Sequence, residues 1–404
     1  MRNMKSSLNT RSYYVEAIMK KEVLIIGAGK IGRGFIAHLF YNSGYKLWFL
    51  DASKEVVELL NKEKKYRVDI AREGKDLTEY VEVEGAFTLD DKEKVAEILS
   101  YIDVIVSSVG AGNIEKVTRF IRDLLIVSKR RKIVNWLICE NANNPAKKIK
   151  EVLLQNADPE FRDFVQTNLG LIETQVLRTG MPANEEVIIK EPLALRMYDW
   201  WTLPLDKDAF IGPIPDVKGF DPKSNFSNEL VRKLYTFNGT NGPIAYIGWA
   251  NGYKILHAAA LAYPELFKQI QEEAAFGLIH EFGVDERDQR KFMALAMEKY
   301  TDTTLNDQIE RNANDSRRKV SKDERLIGPA LLCLKHGKMP YAYAKAIAAA
   351  YYYNGSNDEG TQEVQQSVNQ SGIEDAIKKY SSIDETSELY NLILESYNSK
   401  SFIF

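Results

Sequence analysis

The chain has 404 residues, 45% of them apolar, with 54 Lys plus Arg against 57 Asp plus Glu. That composition is globular, with length for two or three domains, and a net charge of −3 offers no polycationic face to nucleic acid. No apolar run approaches the roughly 20 residues that would span a bilayer, so no membrane partner is expected. Cys139 and Cys333 are too few for a disulfide framework, which favours reduced thiols in the cytoplasm. Four histidines, with no Cys-x-x-Cys and no His-Glu-x-x-His, give no expectation of a metal site.

Residues 1–19 read as an N-terminal extension. They hold Ser6, Ser7, Thr10 and Arg11 and a single acid, Glu16. A transit peptide has this composition, but the simpler reading is a start set too early, with Met19 as the true first residue. From Val23 the pattern sharpens. Val23–Ile26 is a short continuous apolar run, as for a strand buried on both faces. A glycine-rich turn spans Gly27 to Gly34, and apolar residues at helical spacing follow from Phe35 to Phe40. Strands are expected at Lys46–Leu50, Asp103–Val106 and Ile133–Ile138, and helices at Glu55–Lys62 and Ile114–Val127. Alternating strands and helices imply parallel βαβ units and a doubly wound sheet.

Pro213 to Pro222 reads as a connection punctuated by Pro and Gly. Beyond it the pattern is helical: Asn228–Phe237, Ala245–Ala262, Pro264–Phe282, Asp285–Tyr300 and the Ala-rich Tyr341–Tyr352. A polar loop at Asn354–Gly360 leads to one or two closing helices. Gly239, Gly242 and Pro243 are expected to break the helix after Phe237, leaving Asn241 near the N-cap of a new one. The expected organisation is an α/β nucleotide-binding domain at 20–213 and an all-α domain at 214–404, with the active site in the cleft between them.

Two stretches carry chemistry. Gly27-Ala-Gly29-Lys30-Ile31-Gly32 is a G-x-G-x-x-G that follows a strand and opens a helix, and Asp51 closes the next strand nineteen residues later. This is the fingerprint of a Rossmann-type dinucleotide site. Gly27 permits the tight turn, Gly29 lets backbone approach a pyrophosphate, and Gly32 lets the helix pack on the sheet. The helix N-terminus then holds the anion. Asp51 accepts from both ribose hydroxyls and repels a 2′-phosphate, so NAD is favoured over NADP. The second stretch is Lys233-Leu-Tyr-Thr-Phe-Asn238-Gly-Thr-Asn241, which carries little weight standing alone.

Together with Cys139-Glu-Asn141 and Arg318-Lys-Val-Ser-Lys-Asp-Glu-Arg-Leu-Ile-Gly-Pro329, these motifs resemble the polyol-specific long-chain dehydrogenases from about Lys20 to the closing helices. The resemblance implies zinc-independent hydride transfer between NAD and a six-carbon polyol or its phosphate, with mannitol 1-phosphate and fructose 6-phosphate the expected pair. It places the catalytic lysine on Lys233 and carbonyl-polarising asparagines on Asn141 and Asn238. That agrees with the chemistry: without a metal, a side chain must take the hydroxyl proton, and a desolvated lysine can do so near neutrality. Two amides stabilise a developing alkoxide without titrating. The family's histidine position is Asn241 here, and an asparagine can donate but not titrate. His257, in the next helix, reads as an ordinary packed residue. Ala313-Asn314 and Ile172-Glu-Thr-Gln175 also depart from the family pattern. Arg318, Lys319 and Arg325 belong to the densest basic run, which suits a substrate phosphate. The alternatives are a reductase of an unphosphorylated ketose or ketohexuronate, and an NAD-binding protein with weakened catalysis. The expected partner is a small polyol or sugar phosphate, and the chain is expected as a monomer or small homo-oligomer.

Overall fold

The computed structural model describes residues 21–72, 75–130, 132–142, 144–181 and 183–404. The extension read at 1–19 lies outside them. The chain divides into two compact units, one ending at Ser224 and one running Asn225–Phe404.

The first unit is built on six strands: β1 (Glu22–Ile26), β2 (Lys46–Leu50), β3 (Gly85–Phe87), β4 (Val104–Ser107), β5 (Val134–Ile138) and β6 (Leu169–Glu173). They lie in the order β3-β2-β1-β4-β5-β6, every neighbouring pair parallel. This is the expected doubly wound Rossmann sheet. β1 shows why its sequence has no polar alternation. Val23 and Ile25 point into one apolar cluster, Leu24 and Ile26 into another, and all four are buried. With both faces covered, each such side chain contributes roughly 1.5–3 kcal/mol. Helices such as Lys54–Glu63 and Ile114–Val127 connect the strands.

A second, four-stranded sheet was not legible in sequence. It runs Leu77–Glu82, Lys65–Ala71, Leu195–Tyr198 and Gly180–Met181 in spatial order, with mixed pairing. Met197 packs so closely on Gly34 that a Cβ there would overlap its sulfur. Phe220–Lys223, overlapping the end of the stretch read as a connection, pairs with Leu203–Asp206.

The second unit is helical. Pro264–Phe282 and Tyr341–Tyr352 form as expected, and two closing helices occupy Glu359–Ala376 and Glu388–Ser399. Two expectations are corrected. The helix read at Ala245–Ala262 is two: the first stops at Ala250, and the second starts at Leu256 after Gly252, which sits at φ +81°. The break expected at Gly239–Pro243 does not occur. One helix runs from Phe226 to Ala250, through a π segment at Leu234–Asn238. Asn241 therefore stands inside a helix and not near an N-cap. Pro243 brings no N–H to the Gly239 carbonyl four residues back. The buried Tyr343 hydroxyl donates to that carbonyl at 3.0 Å instead. Pro243 is tolerated because a distant side chain replaces the missing bond.

Candidate active site

The glycine turn assigns each glycine a separate physical task. Gly27 has φ +98°, and a Cβ there would overlap the Ser108 carbonyl. A Cβ on Gly32 would overlap the Gly27 carbonyl. Both positions are closed to any larger residue. A Cβ on Gly29 would meet nothing within 4 Å, so the turn is open there. A dinucleotide turn needs such an opening at its second glycine for backbone to approach a pyrophosphate. The Asp51 carboxylate joins the turn to the end of β2, accepting from Ala28 N–H at 2.6 Å and from Ser53 N–H at 2.8 Å. A carboxylate has about four acceptor sites, so it retains capacity for ribose hydroxyls. Lys30 is exposed, its stem lying along Gly180, and Ile31 packs on the core. These residues fit a dinucleotide.

Arg33, inside the glycine-rich turn, carries a task that the motif does not announce. It is buried, donates through Nε to the Ala28 carbonyl at 2.6 Å, and donates through Nη1 to Leu193. It braces the turn from behind. Glu140 was likewise passed over. Its two carboxylate oxygens accept from the N–H groups of Val109 and Gly110, each at 2.8 Å, while burial pushes its carboxyl up. It ties the loop after β4 to the loop that carries Asn141, whose own side chain is exposed.

In the second unit the π segment organises the face. In a plain α-helix five residues advance about 500°, which would turn Asn238 roughly 140° away from Lys233. A π turn closes over five residues. The Gly239 N–H bonds to Leu234 O, five back. The wider turn brings Asn238 nearer the face of Lys233 than a plain α-helix would, and Asn241 follows three residues later. The Lys233 amine is lowered to about 8 by burial first, then by the charges of Lys299 and Arg325, with Glu324 opposing. Among the described residues no hydrogen bond holds it. At about 8 a fraction of the amine is uncharged near neutral pH and most of it above, and that uncharged form is a competent base.

Opposite this face lies the basic run. Arg325 packs on Gly242 and donates to Glu324 at 2.8 Å. Lys319 is 4% exposed, donates to the Asn312 carbonyl at 2.6 Å, and is lowered to about 7 by burial and then by Arg325 and Arg318. Arg318 is half-exposed and held by Asp315 and Glu324, both at 2.6 Å. The structure thus brings Lys233, Asn238, Asn241, Lys319 and Arg325 together and leaves Arg318 at the rim. His257 bonds the Leu305 carbonyl at 3.2 Å. Among the described residues, no group of three His, Cys, Asp or Glu side chains is arranged to hold a metal ion.

Residues 21–215 match the mannitol dehydrogenase Rossmann domain, and 229–399 match the mannitol dehydrogenase C-terminal domain. The mannitol-1-phosphate 5-dehydrogenase of Thermoanaerobacter pseudethanolicus is 30% identical over 375 residues, which cover 92% of this chain and 96% of that protein. The chain belongs to the mannitol dehydrogenase family. As a member it is an NAD-dependent polyol dehydrogenase. The mannitol-1-phosphate 5-dehydrogenase of Clostridium acetobutylicum is 29% identical, over 93% of this chain and 98% of that protein. Two solved structures share the fold. A substrate-free D-sorbitol dehydrogenase matches with a TM-score of 0.76 at 14% identity, over 93% of this chain and 92% of that one. Pseudomonas fluorescens mannitol 2-dehydrogenase, solved with NAD and D-mannitol, matches with a TM-score of 0.71 at 14% identity, over 95% and 92%.

The motif spacing that identified the family did not expose Asn312. It bonds Asn241 and Lys319, on the short helix Ile309–Ala313. Its only sequence signal was its place in a segment that departs from the family pattern.

Proposed function

We propose that this chain interconverts mannitol 1-phosphate and fructose 6-phosphate with NAD and without zinc. The observation that carries the reading is Lys233. Its amine is lowered to about 8, and the π segment sets it on one face with Asn238 and Asn241. In the oxidation direction neutral Lys233 takes the hydroxyl proton, and in reduction the ammonium returns it. Asn238 and Asn141 supply amide N–H groups to the reacting oxygen, which stabilise an alkoxide without competing for the proton. Asn241 orients the substrate.

Gly27, Gly29, Lys30, Ile31, Gly32 and Asp51 would hold the cofactor. Bound NAD supplies the hydride acceptor. Residues 20–213 would serve the cofactor and residues 214–404 the polyol. The phosphate is supported by Lys319 and Arg325, and by the relatives named for mannitol 1-phosphate. Among the described residues no helix is long and apolar enough to cross a membrane. Cys139 and Cys333 are both free and buried, which supports the cytoplasm as the place of action.

NADH absorbance tests the substrate. Fructose 6-phosphate is expected to drive NADH oxidation at a far higher kcat/KM than fructose or tagaturonate. Turnover with either of those alone would remove the phosphate from the proposal.

A further inference from the structure

Asn241 has no proton to titrate, yet its orientation is fixed through three successive partners. It is 9% exposed, and its Nδ2 donates to Asn312 Oδ1 at 3.1 Å. Asn312 Nδ2 donates to Asp307 Oδ1 and to the Gln308 carbonyl, both at 2.8 Å. Asp307 Oδ1 also receives Arg311 Nε at 3.0 Å and Nη2 at 2.6 Å.

The two ends of an amide have nearly the same shape, so its orientation must be argued from its partners. The chain of bonds starts from groups that accept. Asp307, paired with a guanidinium, is a carboxylate, and the Gln308 carbonyl is also an acceptor. Asn312 must therefore turn its NH2 toward them. Its carbonyl oxygen is then the atom that meets Asn241. Asn241 must in turn present its own NH2 to Asn312. That leaves Asn241 Oδ1 pointing away from Asn312, and no donor among the described residues takes it. One ion pair thus decides which end of an amide two side chains away is offered to a ligand.

The geometry points to Asn312 as a positioning residue that locks Asn241 as a hydrogen-bond acceptor, so that the site selects a substrate hydroxyl at that place and rejects a carboxylate. The inference rests on the proposed function, in which Asn241 faces the substrate. An oxygen acceptor pairs with an O–H and repels another acceptor, and a site built to bond a hydroxyl discriminates strongly against groups that cannot donate. Asn312 also fixes Lys319 through its backbone carbonyl, which a side-chain substitution leaves in place.

The test is a double-mutant cycle on NADH oxidation by fructose 6-phosphate, with Asn241→Ala, Asn312→Ala and the pair; Asn312→Ser serves should the alanine variant not fold. Each single variant is expected to lose about ten-fold in kcat/KM, the scale of one well-placed hydrogen bond. The double variant is expected to be no worse than Asn241→Ala, because Asn312 acts only through Asn241. Asn312→Ala should also narrow the preference for fructose 6-phosphate over tagaturonate. Wild-type turnover with additive losses, or an Asn312 variant with a lower Tm and unchanged kinetics, overturns this inference alone. Absence of wild-type turnover with fructose 6-phosphate, fructose and tagaturonate overturns the functional reading and this inference with it.

Discussion

Replacing Lys233 with methionine is expected to cut turnover sharply and to stabilise the protein. Burial, Lys299 and Arg325 take the amine from 10.5 to about 8. At 1.36 kcal/mol per pH unit, the ammonium form is disfavoured in the folded chain by about 3 kcal/mol. The direction with pH follows from which state binds the proton. Between 10.5 and about 8 the unfolded chain is protonated at Lys233 and the folded chain is not, so stability falls as pH falls through that window. Below about 8 both states hold the proton and the full cost is present. Methionine keeps the unbranched stem and carries no charge, so Lys233→Met removes the cost with little change in volume.

At pH 7 the variant should gain up to about 3 kcal/mol, and Tm should rise by roughly 2–4 °C for each kcal/mol realised. The gain should shrink toward zero as pH approaches 10.5. Turnover should fall by about 10²–10⁴, the usual contribution of a general base. In the wild type, polyol oxidation should rise with pH and level off above about 8, while ketose reduction should decline there. Calorimetry at pH 7 and pH 10 beside NADH kinetics reads all of this. A methionine variant that is less stable at pH 7, or a gain that does not change with pH, would refute the reasoning.

Asp51→Ala is expected to narrow the preference for NAD over NADP in steady-state kinetics, since the variant no longer repels a 2′-phosphate; the turn should loosen as well, because Ala28 N–H loses its partner. The glycine turn separates by thermal melting and cofactor titration. Gly29→Ala has room for its methyl group and should fold normally while weakening NADH binding, whereas Gly32→Ala must displace the Gly27 carbonyl and should lower Tm.

The sequence was most legible where one local rule suffices. β1 reads as a doubly covered strand because four successive apolar residues leave no polar face, and the G-x-G-x-x-G is fixed by sterics within a few residues. The mixed sheet was missed for the opposite reason. In Leu77–Glu82 only Val81 is buried, and the strand is held by pairing with Lys65–Ala71 and not by its own pattern. The helix break was misread because Gly239 and Pro243 disfavour helix locally, while the compensating bond comes from Tyr343, about a hundred residues away. No single-residue preference announces a π turn, so the feature that aligns Lys233 with Asn238 was invisible. The family motifs still singled out Lys233, Asn238 and Asn241, because they preserve the spacing of that turn without revealing its shape.

The basic cluster bears on the direction of reaction. Burial is the first cause of the lowered values at Lys233, Lys299 and Lys319, about 8, 8 and 7. The nearby acids are already engaged. Although burial pushes the Glu324 carboxyl up, Arg325 and Arg318 hold it below its usual range, and Asp307 is taken by Arg311 and Asn312. Lys233 and Lys319 thus stand in a basic surrounding that would welcome an anion, and the proposed substrate phosphate is one. The same phosphate must then raise the pKa of every amine it approaches. Raising Lys233 keeps more of it protonated near neutral pH, so less of the free base is available to the alcohol and more of the ammonium to the ketose. A phosphate held by Lys319 and Arg325 therefore favours ketose reduction near neutral pH, whereas an uncharged polyol would leave Lys233 poised for oxidation.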